Sequence, residues 1–232
     1  MPTHFPNGVT NAATNSVLHE FGGPDPTKYH VWFDDFDNYE ADQWIVTTTG
    51  AATAAIQNEI GGILKLTNAA ADDDRIFLQW SGDDASTTIE TFKFTSGKKL
   101  WMKARLKVSD ATQSDFLVGL SITDTTPLDV TDGVFFQKDD GDANLDFHVE
   151  KDNTATSATA IHTVVSDTYL TVGFYYNGVN KVEYFVNDIF KGSSATTNLP
   201  DDEELTISFG VQNGEASAKN CSFDYIFVAQ ER

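Results

Sequence analysis

The chain has 232 residues, 40% of them hydrophobic, and carries 35 acidic against 15 basic side chains for a formal net charge of −20. A surface of that sign repels phosphate backbones and anionic membranes, so neither nucleic acid nor membrane is an expected partner. The lone cysteine, Cys221, excludes an intrachain disulfide, and its place in a strand-like run marks it as a small buried apolar residue.

Residues 1–30 differ from the rest. They hold four of the six prolines together with Gly-Gly-Pro, Pro-Asp-Pro and Asn-Gly elements, which interrupt helices and strands. Phe5, Pro6, Val9, Val17, Leu18 and Phe21 supply anchors that an unstructured tail lacks, so the stretch reads as an extended docking arm. Such an arm lies either on its own domain or on a neighbouring subunit. No charged segment followed by an apolar stretch marks a secretory signal, and no apolar run reaches membrane length. Synthesis in the cytoplasm is expected.

From residue 31 to 232 strand signals follow one another with hardly any helical periodicity. Val31 to Phe36 and Trp44 to Thr49 come first. Ile63 to Thr67 and Arg75 to Trp80 flank an acidic turn, and Ile89 to Phe94 is a weaker run. The clearest alternation sets Leu100, Met102, Ala104, Leu106 and Val108 against Trp101, Lys103, Arg105 and Lys107, so the second set forms a basic outer stripe. That stripe either blunts a sheet edge, balances acidic neighbours, or grips an acidic partner through Trp101, Lys103 and Arg105. Phe116 to Ile122 is followed by a hairpin turning at Asp139-Asp140-Gly141-Asp142, and Leu145, Phe147 and Val149 return from it. Tyr169 to Tyr176 turns through Asn177-Gly178 into Val182, Tyr184 and Val186. Leu205, Ile207, Phe209 and Val211 lead through Asn213-Gly214 into a last strand bearing Phe223, Tyr225 and Phe227. Turns at this spacing predict an all-β, two-sheet antiparallel jelly-roll sandwich over 31–232, one domain behind the arm.

Chemistry is sparsely written. A retaining glycosidase needs two carboxylates about 5–5.5 Å apart. Asp146, His148 and Glu150 share one strand face, with the apolar Leu145, Phe147 and Val149 on the other, so the polar face points outward and reads as solvated or as a remnant of sugar binding. No nucleophile elbow, Cys–His pair, His-Glu-x-x-His or phosphate loop is present, and an enzyme is not expected. Asp140, Asp142, Asn144 and Asp146 begin like an EF-hand loop. Leu145 at its sixth position and Lys151 at its twelfth rule that out. Looser calcium sites at Asp72-Asp73-Asp74 or Asp139-Asp140 stay open, and no other cofactor is expected.

The opening Phe33-Asp34-Asp35-Phe36-Asp37, with Trp44 after it, resembles the first strands of concanavalin-A-like (laminin-G-like) jelly rolls, and Phe223-Asp224-Tyr225-Ile226-Phe227-Val228 resembles the last strand of laminarinase-type hydrolases and their non-catalytic relatives. The laminarinase family's Glu-x-Asp-x-(x)-Glu run is absent. His4-Phe5-Pro6-Asn7-Gly8-Val9-Thr10-Asn11, Ser114 to Leu120 and Asp132 to Lys138 resemble structural proteins of tailed, marine-type phages. That resemblance implies a capsid decoration or cement protein on the virion surface. Its partners would be the major capsid protein and copies of itself, a trimer among the arrangements, with the arm docking on the head. The alternative it leaves is a carbohydrate-binding module for attachment to a host surface.

Overall fold

Period-two patterning, bounded by Gly, Asn and Asp turns, governs the molecule. The structure, a computed structural model, describes residues 27–82, 85 and 88–232. The strands in chain order are β1 (Tyr29–Asp34), β2 (Trp44–Thr49), β3 (Ala52–Gln57), β4 (Ile63–Asn68) and β5 (Arg75–Trp80). Then come β6 (Leu100–Val108), β7 (Ser114–Ser121), β8 (Gly133–Lys138), β9 (Asn144–Lys151) and β10 (Thr154–Thr163). The last are β11 (Leu170–Tyr176), β12 (Lys181–Val186), β13 (Ile189–Ala195), β14 (Thr206–Asn213) and β15 (Asn220–Glu231). Among the described residues only short 3-10 turns interrupt them, at Ala41–Gln43 and Pro127–Asp129. Among the described residues no helix is long and apolar enough to cross a membrane.

Two antiparallel sheets stack face to face as the jelly-roll sandwich expected from the sequence. Sheet A runs β13-β12-β11-β6-β15-β4-β3, with β1 also on β15, and sheet B runs β10-β9-β8-β7-β14-β5-β2. The first and last strands pair, Tyr29 opposite Glu231 through Asp34 opposite Ile226, so the described chain begins and ends in one sheet. β1 starts at Tyr29, two residues before Val31. The arm residues Phe5, Pro6, Val9, Val17, Leu18 and Phe21 lie outside the described residues. The weak run at Ile89 to Phe94 forms only an isolated bridge, Phe92 with Leu205.

The core lies between the sheets. The inward set of β6, Leu100 to Val108, is fully buried, as is the set Leu205, Ile207, Phe209 and Val211 around β14. Phe209 packs on Phe36, Trp44 and Phe223 with ring centroids 4.5–5.9 Å apart. Trp80 is half-buried and meets Trp32 and Trp44 edge to face, a geometry that suits the ring quadrupoles. Cys221 is fully buried, and burial pushes its thiol well above the usual range, so it is inert as the sequence implied.

One register differs from the simple alternation. Between Phe223 and Tyr225 the pairing of β15 with β6 shifts by a bulge at Asp224. An extra residue reverses the parity of everything after it. Phe223 therefore points into the core, but Ile226 and Val228 follow it there, while Tyr225 and Phe227 turn to the outer face.

Phe209→Ala should cost about 3–5 kcal/mol of stability, because it empties a fully buried position on which Phe36, Trp44 and Phe223 pack. Chemical denaturation at equilibrium reads this. A loss under about 1 kcal/mol would contradict this packing.

Candidate functional site

The outer faces of the two sheets are treated differently by the sequence. On sheet B the strands carry glycine where bulky neighbours must lie flat. A Cβ on Gly119 would sit 2.4 Å from the Cβ of Phe135, and one on Gly210 would sit 2.4 Å from the Phe77 ring. Phe77, Leu117 and Phe135, with Val130, form a second buried cluster under the segment 122–132, and Leu128 packs on it. Gln79, Ser121 and Ser208 tie this segment down by bonding the Ile122 carbonyl and one another. The chain itself thus covers the part of this outer face around Phe77, Leu117 and Phe135.

The Asp146, His148 and Glu150 triplet does share the outer face of β9. Its parts are separately engaged. Asp146 accepts from the Ala160 N–H at 2.7 Å, while His148 stacks on Phe135 and bonds Ser157 at 2.9 Å through Nδ1. The buried His148 Nε2 has no hydrogen-bond partner, and burial keeps the ring's pKa below its usual value. Glu150 is raised by burial and then by Asp129 and Asp132. Four strand residues put the Asp146 and Glu150 Cα atoms about 13 Å apart, and His148 stands between them. Opposite Asp146, His148 and Glu150 the partner strand β8 places Gln137, Phe135 and Gly133, none of them a carboxylate. The spacing is wrong for a glycosidase pair drawn from this strand.

The outer face of sheet A is open. Here β6 is a central strand between β11 and β15, so its basic stripe guards no edge. It balances acidic neighbours instead. Lys103 pairs with Asp188 at 2.5 Å, and Arg105 pairs with Asp224, the residue at the bulge. The Arg105 guanidinium also lies 4.0 Å over the Tyr169 ring, with Lys107 at 4.7 Å. Beside this stripe is an apolar cleft of about 390 Å³. Gly173 is its floor, opposite Lys103 on one side and Phe185 on the other. A Cβ there would meet the Met102 carbonyl at 2.8 Å and would project into the cleft. Trp101, Tyr175, Phe185 and Phe227 form the walls, and Lys103 and Asp188 the charged rim. Trp101 stacks on Tyr175 at 5.4 Å and meets Tyr29 edge-on at 5.9 Å. Phe33, Ile189 and Phe190 extend the apolar surface and are more than half exposed. Trp101, Lys103 and Arg105 are thus brought together as the sequence suggested. The sequence did not reveal Phe227, because only the bulge turns it outward, nor Phe185 and Gly173, which belong to other strands.

Asp139, Asp140, Asp142, Asn144 and Asp146 surround a recess of about 250 Å³ at the β8–β9 hairpin. Among the described residues no group of three or more His, Cys, Asp or Glu is arranged to hold a metal ion, at this recess or at Asp72-Asp73-Asp74. Asp74 accepts from the Ala71 N–H, so that turn is closed by its own backbone. Asp115, which neighbours Asp140, is pushed up to about 6, by burial and then by Asp140 and Asp139. It accepts from the Asp140 N–H and from Gln212. Lys138, almost wholly buried nearby, spends its ammonium on the carbonyls of Ser114 and Thr112 at 2.5 and 3.2 Å.

No family model matches this chain, and no curated protein matches it. Solved structures do. A protein of unknown function from Shewanella oneidensis MR-1 is 15% identical with a TM-score of 0.60, covering 88% of this chain and 87% of that one. A prokaryotic β-1,3-1,4-glucanase (lichenase) from a mouse hindgut metagenome is 11% identical, TM-score 0.59, covering 85% and 98%. Peanut lectin is 10% identical, TM-score 0.57, covering 88% and 97%. At these identities the likeness shows the concanavalin-A-like jelly-roll fold, which enzymes and lectins share.

Asp115 should make stability fall as pH rises. Its folded value of about 6 stands above its ordinary 3.8, so the native state holds a proton that the unfolded state has lost. The contribution is nil below about pH 4, falls between about 4 and 6, and levels above at a deficit of up to about 3 kcal/mol. The difference in unfolding free energy between Asp115→Asn and the parent should therefore grow in the variant's favour across that window. A difference that is flat in pH would refute the assignment.

Proposed function

We propose that this chain is a non-enzymatic assembly protein that docks on protein partners through the outer face of sheet A, and that it serves as a capsid decoration or cement protein on a virion. The observation that carries the reading is the apolar cleft at Gly173, walled by Trp101, Tyr175, Phe185 and Phe227 on an otherwise strongly acidic body. Contiguous exposed apolar surface of this kind marks an interaction site. Aromatic residues with arginine are the side chains on which protein interfaces concentrate their energy. The Asp146–Glu150 spacing and the covered patch of sheet B favour binding over hydrolysis. The resemblance of Ser114 to Leu120 and Asp132 to Lys138 to structural proteins of tailed phages supports the virion setting, with the major capsid protein and further copies of this chain as partners. Multiple copies on one shell supply avidity, so each contact need only be modest.

A second reading, carbohydrate recognition, draws on the same cleft, where aromatic walls meet the polar Lys103–Asp188 rim. It ranks below the first because Trp101 and Tyr175 stack on each other, which takes up ring surface that a pyranose would need.

Trp101→Ala should weaken binding to capsid shells lacking this chain by about 2 kcal/mol, and Lys103→Glu should weaken it in a salt-dependent manner. Sedimentation of shells with bound protein gives the readout. Unchanged binding by both variants would overturn the docking face, and binding to a glycan array that Trp101→Ala abolishes would move the assignment to the second reading.

A further inference from the structure

We infer that the partner meets sheet A with an extended acidic segment. One apolar side chain of that segment seats at Gly173, and a carboxylate four residues away along it is held between Lys65 and Lys107. The inference deepens the docking role proposed for this face and rests on it.

Register carries the first argument. On the outer face Phe190, Phe185, Gly173, Lys103, Phe227 and Phe33 stand opposite one another in a single row across six strands. Gly173 is the gap in that row, so it is the seat for an apolar side chain. Four residues further along β6, Lys107 stands opposite Ser222 of β15, and Ser222 stands opposite Lys65 of β4. The aromatic and basic rows are therefore about 13 Å apart, and the two lysines about 10 Å apart across β15. An extended chain advances about 13 Å in four residues and returns its side chain to the same face. A segment lying along β6 thus meets both rows with residues i and i+4.

Charge carries the second. Lys103 and Arg105 are already taken by Asp188 and Asp224. Among the described residues Lys65 and Lys107 form no ion pair. Glu59, which acts through space on Tyr169, is a further carboxylate at this end, and it pairs with neither lysine. Four cations against three carboxylates leave this stretch slightly positive on a chain of net charge −20, and the surplus lies at Lys65 and Lys107. The Lys107 ammonium is held 4.7 Å over the Tyr169 ring, so it stays close to the sheet. Ser222 is buried although it points outward between the two lysines, which fits apolar stems lying along the sheet with their heads in water. At about 390 Å³ the cleft is at the small end of ligand pockets, the scale of one or two side chains rather than of a folded surface. An acidic segment is repelled by the rest of the body and attracted here, so charge sets where along β6 it lies while the apolar anchor supplies the affinity.

Two capped, dye-labelled peptides test this on the full chain by fluorescence anisotropy. Asp-Thr-Thr-Thr-Phe-Thr-Thr-Thr-Asp sets a carboxylate four residues from its anchor in either chain direction. Thr-Thr-Thr-Asp-Phe-Asp-Thr-Thr-Thr has the same composition and charge without that spacing. The spaced peptide should bind about threefold tighter at low salt, and its advantage should vanish in about 1 M salt. Lys65→Met with Lys107→Met keeps the apolar stems and removes the charge, so it should cancel that advantage and leave the unspaced peptide unchanged. Trp101→Ala should weaken both peptides alike, because they share the anchor. Equal affinity of the two peptides, binding by neither, or indifference to the lysine substitutions would overturn the inference. An oligoglucuronate that binds through these lysines where the peptides do not would assign the basic row to an acidic polysaccharide and overturn it as well. The docking role is judged separately by Trp101→Ala on shells, so it can stand while the acidic segment fails.

Discussion

The bulge at Asp224 is the constraint on which the apolar cleft of sheet A depends. β15 runs the length of sheet A, with β6 on one side and β4 then β1 on the other. With strict alternation after Phe223, the strand would bury Tyr225 and Phe227 and expose Ile226 and Val228. One inserted residue exchanges the two sets. Ile226 and Val228 fill the core, and Phe227 becomes a wall of the cleft. The inserted residue is itself an aspartate, and its carboxylate holds Arg105 of the neighbouring strand, so the bulge is pinned by charge where it breaks the ladder.

The same sandwich covers the middle of one outer face and leaves a cleft open on the other. Sheet B uses glycines to let phenylalanine rings lie flat and then covers them with the segment 122–132, whose Leu128 and Val130 complete a second small core. Sheet A uses a glycine for the opposite result. Gly173 leaves a gap between Lys103 and Phe185, and no segment among the described residues fills it. A fold shared with glucanases and lectins thus carries its apolar cleft on the sheet that joins β1 and β15. The buried cluster on sheet B is structural: it contributes area, and its residues are not free to meet a ligand.

Legibility in the sequence followed the strength of local pattern. The five-residue inward set of β6 was readable because charged residues stand at every other outward position but one. The Asn-Gly turn at 177–178 was readable because its strands alternate on both sides. β3, Ala52-Thr53-Ala54-Ala55-Ile56-Gln57, was not, since alanine and threonine give no contrast between faces. β13 escaped for the same reason, with Gly192, Ser193 and Ser194 after its two exposed apolar residues. The bulge was hidden in Phe223-Asp224-Tyr225-Ile226-Phe227-Val228, where both possible parities bury large apolar side chains. Trp101, Lys103 and Arg105 could be placed on one face from one strand alone, but the cleft they border needs β11, β12 and β15, and long-range pairing of that kind leaves no local mark.

The distribution of charge explains why one face can be sticky on a protein that must stay dispersed. At −20 the body repels its own kind over a Debye length of about 8 Å at physiological salt, which opposes indiscriminate association. The outer face of sheet A is the exception. There Lys103 and Arg105 meet Asp188 and Asp224 nearly one for one, so the aromatic surface between them sits in a locally balanced field. Repulsion is weakest where apolar contact is strongest, and only there can hydrophobic burial exceed the electrostatic cost of approach. The proposed docking at Gly173 would be favoured on both terms, while approach along the acidic flanks gains neither.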